Sequence, residues 1–201
     1  MSARAGTEVG RAELAHRITG SKLDPNRAAL VVIDVQEAFR KAVPVFDEVA
    51  RATGVLVDGA KAVGIPIVAT EQYPNGLGHT VPEVAERLPD GVEPIEKVVF
   101  SAAEADGFDL GGADQALVCG IETHVCVNQT VVDLLARGVD VHVAEDAVGS
   151  RTKQNWKLGL HKVEHVGATL TSVETALFEL VRRAGTDEFK QVQKLILEWA
   201  P

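Results

Sequence analysis

Short, unbroken apolar runs alternate with helical patterns along nearly the whole chain. The runs are Ala28–Val35, Ile65–Ala69, Ile95–Phe100, Ala116–Cys119, Val139–Ala144 and Ala168–Thr171. Several are rich in β-branched residues with no polar alternation, as strands covered on both faces should be. Between them, Asp47–Val63 places Val49, Ala52, Leu56, Ala60 and Val63 on one helical stripe that stops at Gly64. His124–Arg137 does the same with Val127, Val131 and Leu134 or Leu135, and stops at Gly138. Glycine just past a periodic segment predicts a helix C-terminus, because it enters the left-handed region cheaply. Further helices are predicted around Trp156, Leu160 and Val163, around Val173, Leu177 and Leu180, and from Phe189 to Trp199 with Thr186 as N-cap. Strand–helix alternation of this kind predicts a parallel sheet of about six strands between two helical layers. The expected fold class is thus a three-layer α/β/α sandwich around a mostly parallel, Rossmann-like sheet. Residues 1–25 read as an N-terminal extension, 26–184 as the domain, and 185–201 as a terminal helix suited to packing on a neighbouring subunit.

Composition narrows the function. The 201 residues are 46% hydrophobic and 24% charged, which excludes disordered and collagen-like classes. The net charge is −9 with no Lys/Arg cluster, so neither nucleic acid nor an anionic membrane surface is an expected partner. No apolar run approaches the roughly 20 residues of a membrane span. The first twenty residues have no apolar stretch of a secretory signal, and Glu8 and Glu13 argue against a transit peptide despite Arg4, Arg11 and Arg17. Two cysteines, Cys119 and Cys126, are too few for a disulfide scaffold. A cytoplasmic protein is expected.

The turn after the first run reads Asp34-Val35-Gln36-Glu37-Ala38-Phe39, without the glycines a dinucleotide-binding turn requires, and Gly111-Gly112 precedes a strand rather than a helix. Ligands in open α/β sheets bind beyond the carboxyl ends of the strands. That rule selects Asp34, Lys97, Cys126 and Asp146. A thiol at a helix N-terminus, as Cys126 would be, meets the positive end of the dipole and free N–H groups, which lower its pKa and can hold an oxyanion. Position alone leaves a second role open for it, that of a small buried hydrophobe. Asp34 fits either a catalytic carboxylate or an Asx cap of its turn. Cys119, inside an apolar run, reads as structural.

Three motifs in order resemble the isochorismatase-like cysteine hydrolase superfamily: DVQEAF (Asp34–Phe39), EKVVFSA (Glu96–Ala102) and CGIETHVCVNQTVVDLL (Cys119–Leu135). The similarity runs from about Ala28 to Arg182. It implies a catalytic triad of Asp34, Lys97 and Cys126. It also implies a cis peptide at Ile121–Glu122 that aims the backbone N–H groups of Glu122 and Cys126 into an oxyanion hole. Nicotinamidases of this superfamily bind a metal through an Asp-x-His pair after the second strand. Here that stretch is Glu71-Gln72-Tyr73-Pro74, with His79 displaced, so no metal and no cofactor is expected. True isochorismatases lack the cysteine, so Cys126 argues against their vinyl-ether substrate. Thr70–Glu83 looks more like the isochorismatase-domain-containing hydrolases.

The expected activity is cleavage of a C–N bond in a small amide-like molecule through a thioester acyl-enzyme. Asp34 is the base, and Lys97 lowers the thiol pKa and orients Asp34. Gln36, Phe39, Tyr73 and Phe100 are expected to touch substrate, His124 to sit on the rim, and Glu122 to act through its backbone. A homodimer or homotetramer is expected. The alternatives are a non-catalytic binding or scaffold protein on the same fold, and a thiol redox sensor with Cys119 as resolving partner.

Overall fold

A computed structural model describes residues 22–199. Six strands form one all-parallel sheet: β1 Ala28–Ile33, β2 Ile67–Gln72, β3 Ile95–Lys97, β4 Gln115–Ile121, β5 Asp140–Gly149 and β6 Thr169–Thr171, in the order β3-β2-β1-β4-β5-β6. The expected three-layer α/β/α fold is therefore present. β1 is buried at every position, as its unbroken apolar run requires. Its register runs Leu30 against Ile67 on one side and Ile33 against Gly120 on the other.

One face of the sheet presents Leu30, Val32, Leu117 and Cys119 to helices α1 (Phe46–Val63), α4 (Val173–Val181) and α5 (Asp187–Trp199). The other presents Ala29, Val31, Ala116 and Val118 to α2 (Asn128–Ala136) and α3 (Lys153–His165). Each fully buried Leu or Val in these layers contributes roughly 1.5–3 kcal/mol of transfer free energy. Gly64 closes α1 in the left-handed region at φ 76°. Thr186 caps α5, accepting from the Phe189 N–H at 3.1 Å.

Two expectations about the ends change. The apolar face of α5, with Val192 and Ile196, is buried in the same core as α1 of its own chain, rather than left for a neighbour. Of the expected N-terminal extension, 1–21 lie outside the described residues, while Leu23 is fully buried and its N–H donates to Glu179 Oε2 at 3.1 Å.

Strand order reverses between β1 and β4, and the crevice beyond their carboxyl ends is where an open α/β sheet can receive a ligand. Two strands reach further toward that crevice than their apolar runs predict. β2 continues through Thr70-Glu71-Gln72, and β5 continues from Ala144 to Gly149.

Candidate active site

Asp34 leaves β1 with φ 51°, in the left-handed region that asparagine and aspartate enter most readily among side-chain-bearing residues. This turns its carboxylate into the crevice, where it is fully buried and both oxygens are engaged. Thr70 Oγ1 donates to Oδ1 at 2.7 Å, and Lys97 Nζ donates to Oδ2 at 2.7 Å. Lys97 shares its ammonium further with Gln72 Oε1 at 2.6 Å and the carbonyls of Val99 and Phe100 at 3.3 and 3.2 Å.

The Cys126 side chain is 5% exposed and lies near enough to Asp34 for the carboxylate charge to act on its thiol. Asp34, Lys97 and Cys126, read separately from the sequence, are thus brought to one point. The thiol is not depressed as its helix position suggests. Burial, with the Asp34 carboxylate alongside, pushes it up to about 12, and Lys97 only partly offsets this because its charge is committed to Asp34. The resting nucleophile is a buried, protonated thiol beside a carboxylate.

Cys126 sits in a π-helical turn, Thr123–Val127, that runs into α2; the Val127 N–H reaches back to Glu122 O at 3.3 Å. The peptide Ile121–Glu122 entering this turn is cis, at the position the resemblance implied. Three contacts brace the turn. Glu122, whose side chain was expected to be idle, accepts from Arg151 N at 2.9 Å, Nε at 3.0 Å and Nη2 at 2.6 Å. His124 Nδ1 lies 3.1 Å from Ser150 Oγ, one residue past the end of β5. Thr130 donates to Cys126 O at 2.7 Å and accepts from Ala102 N at 2.8 Å, tying the nucleophile turn to the segment after Lys97. Helix α3 approaches so closely that a Cβ on Gly159 would lie 2.8 Å from Thr123 backbone atoms.

Burial works to raise the Glu122 carboxyl, but its bonds to Arg151 hold it below the usual range near 4.5. A depressed carboxylate stabilises the fold fully above its unfolded pKa, and that contribution is lost as pH falls through the lower folded value. Arg151→Ala is therefore expected to lower the melting temperature at pH 7, and the gap to wild type is expected to narrow as pH falls toward 3, because the variant's unpaired carboxyl is relieved by protonation while the wild type loses the contribution of its depressed one. Thermal melts of both proteins between pH 3 and 7 check this.

The expected substrate contacts fare differently. Gln36 is fully buried and its amide is spent inside the protein: Nε2 donates to Gln72 O at 3.0 Å and Gly78 O at 2.6 Å, and Oε1 accepts from Gln72 N at 2.8 Å. It fixes the loop and has no free donor for substrate. Phe39 is half-buried against the α1-side core. Tyr73 and Phe100 are 55% and 52% exposed; Phe100 gives its carbonyl to Lys97, and the Tyr73 ring lies over Gly76. Glu71 accepts from Thr80 N at 2.6 Å and pairs with His79 Nδ1 at 3.0 Å, so both of its oxygens serve their own loop. Asp146 accepts from Val173 N at 2.9 Å and starts α4 instead of facing the crevice. Cys119 is fully buried, its thiol pushed up to about 12 by that burial, which unfits it as a resolving partner.

The isochorismatase domain family matches residues 28–175. The secreted isochorismatase effector Isc1 of Phytophthora sojae is 41% identical over 184 residues, 88% of each chain. Isochorismatase domain-containing protein 2A of Mus musculus is 37% identical over 190 residues, 93% of this chain and 91% of that one. Among solved structures, the MAR1 ribonuclease of Caenorhabditis elegans superposes with a TM-score of 0.84 at 39% identity, covering 90% of this chain and 95% of that one. The YcaC gene product of Escherichia coli, described as an octameric hydrolase of unknown specificity, superposes with a TM-score of 0.80 at 26% identity, covering 90% and 91%. With the matched domain running from the start of β1 into α4 and containing Asp34, Lys97 and Cys126, the chain belongs to the isochorismatase family.

Proposed function

We propose that the chain is a cysteine hydrolase that cleaves the C–N bond of a small, uncharged, amide-like molecule. The observation that carries this reading is the buried Cys126 thiol beside a carboxylate that is itself held by Lys97 and Thr70. Burial and the Asp34 carboxylate raise the thiol, which favours its protonated form at pH 7 and a proton that moves as the bond forms. Cys126 Sγ attacks the carbonyl carbon while its proton passes to Asp34, and the C=O π pair moves to oxygen. The N–H groups of Glu122 and Cys126 would receive that oxyanion. Collapse of the tetrahedral adduct breaks the C–N bond, and the Asp34 proton leaves on the amine. Water, giving a proton to Asp34, then attacks the thioester, releasing the acid and restoring the thiol.

The Lys97 ammonium already serves Asp34, Gln72 and two carbonyls, leaving it little to offer a carboxylate or phosphate. This favours an uncharged substrate, and with the net charge of −9 it disfavours carrying the ribonuclease name of one structural relative over to this chain. The two free cysteines suit a cytoplasmic protein, although one relative is named as secreted. A homo-oligomer is part of the reading, since YcaC is octameric.

The test is amine release from a panel of small amides, with rapid-quench peptide mass analysis for an acyl group on Cys126. Cys126→Ala is expected to abolish release, by about 10⁴-fold or more, and to leave the melting temperature close to wild type. Undiminished release by this variant would overturn the reading. If wild type and variant behave alike across the whole panel, the chain is a binding or scaffold protein on the same fold.

A further inference from the structure

The second apolar run ends at Ala69, but β2 continues through Thr70-Glu71-Gln72, and these three polar side chains are all buried. Thr70 and Gln72, two positions apart, face the same side of the strand. β2 lies between β1, which delivers Asp34, and β3, which delivers Lys97: Thr70 is in register with Ile33 and Gln72 with Lys97. The strand thus touches both members of the ion pair.

Thr70 Oγ1 donates to Asp34 Oδ1 at 2.7 Å. The Asp34 backbone N–H, in turn, donates to Thr70 O at 3.1 Å. Gln72 Oε1 accepts from Lys97 Nζ at 2.6 Å while its Nε2 donates to Val98 O at 3.0 Å, which fixes the amide's orientation and presents oxygen, not nitrogen, to the ammonium. None of these bonds reaches Cys126, so a change at either side chain acts on the thiol through the Asp34–Lys97 pair.

We propose that Thr70 and Gln72 are positioning residues of this site, holding the Asp34–Lys97 pair in the one arrangement in which the carboxylate can take the proton of the Cys126 thiol. This inference rests on the cysteine-hydrolase reading above. The groups facing Asp34 are Lys97 from the end of β3, Thr70 from β2 and Cys126 from the turn after β4, with Glu122 acting on the thiol from that same turn. Glu71, between the two positioning residues, is tied to Thr80 and His79.

Labelling of Cys126 by iodoacetamide reads this directly and needs no substrate. The S–C bond forms, iodide leaves and the thiol proton passes to Asp34. Full-length wild type, Thr70→Val, Thr70→Ser, Gln72→Leu and Cys126→Ala are labelled between pH 5 and 9, with the modified residue located by peptide mass and each fold checked by a thermal melt. A hydrogen bond to a charged carboxylate favours its ionised form. Thr70→Val and Gln72→Leu are each therefore expected to slow labelling about tenfold at pH 7, the size of one hydrogen bond to a charged group, and Thr70→Ser to restore the wild-type rate.

Wild-type profiles for both Thr70→Val and Gln72→Leu would overturn the proposal while leaving the hydrolase reading intact. So would variants that do not fold at the assay temperature, since that is the mark of a structural role. Wild-type labelling no faster than the Cys126→Ala background at every pH would instead sink the hydrolase reading itself.

Discussion

Asp34→Asn is expected to stop Cys126 chemistry and to destabilise the protein in one step, and the two losses have separate causes. Asparagine tolerates the left-handed backbone at this position, so φ 51° is not the obstacle. What is lost is charge. Lys97 Nζ is fully buried, and among the described residues Asp34 is the one carboxylate it bonds. Removing one member of a buried pair leaves the other uncompensated, at a cost of about 3–5 kcal/mol. The chemical loss comes from the missing proton acceptor, worth about 10²–10⁴ in rate for a positioned base. The double variant Asp34→Asn/Lys97→Met separates them: it is expected to recover most of the melting temperature and none of the Cys126 reactivity. Thermal melts and iodoacetamide labelling of the three proteins make the comparison. Recovery of both together would mean that Asp34 serves the fold alone.

The same pair shows what the sequence makes legible and what it hides. The alternation of apolar runs and helical stripes suffices for the layered parallel sheet, because burying a strand on both faces leaves a pattern that depends on composition alone. The ends of strands are harder. β2 and β5 extend by residues such as Thr70, Gln72, Glu145 and Asp146, which no apolar count assigns to a strand. Thr70 and Gln72 are buried because they meet polar partners from other strands, and those partners are set by register rather than by local sequence. Gln36 misled for the same reason. An amide in the loop after the first strand resembles a ligand contact until the Gln72 and Gly78 backbone groups that occupy it are in view.

Cys126 illustrates a different limit. Position at a helix start argues for a lowered thiol pKa, and that effect is local. Burial and the neighbouring carboxylate are non-local and push the thiol the other way. Glu122 and Arg151 are 29 residues apart and become partners only through the β4–β5 pairing, in which Ile121 lies against Gly149. A carboxylate and a guanidinium just past two apolar runs are the available signal, and the adjacency of β4 and β5 in the sheet is what would turn it into a pair.

Gly120→Ala is expected to be the most damaging single-methyl change near the site. Gly120 holds φ 117°, a region essentially closed to side-chain-bearing residues. A Cβ there would lie 2.0 Å from Ile33 O and 2.7 Å from Ile33 C, both backbone atoms of β1 that cannot swing aside. The collision falls on the β1–β4 pair, where Gly120 is in register with Ile33, one residue before Asp34 and six before Cys126. The glycine therefore sets the spacing between the strand that carries the base and the strand that leads to the nucleophile. Relief requires the two strands to part, which breaks ladder hydrogen bonds at the centre of the sheet and pulls the Asp34 carboxylate away from the thiol. A loss of about 4 kcal/mol or more would lower the melting temperature of a domain this size by roughly 10 °C. Where the variant is still folded, at low temperature, Cys126 labelling is expected to fall well beyond what Thr70→Val or Gln72→Leu produces, because the whole strand moves rather than one hydrogen bond. A near-wild-type melt with unchanged labelling would mean that β4 can take up another path past Ile33.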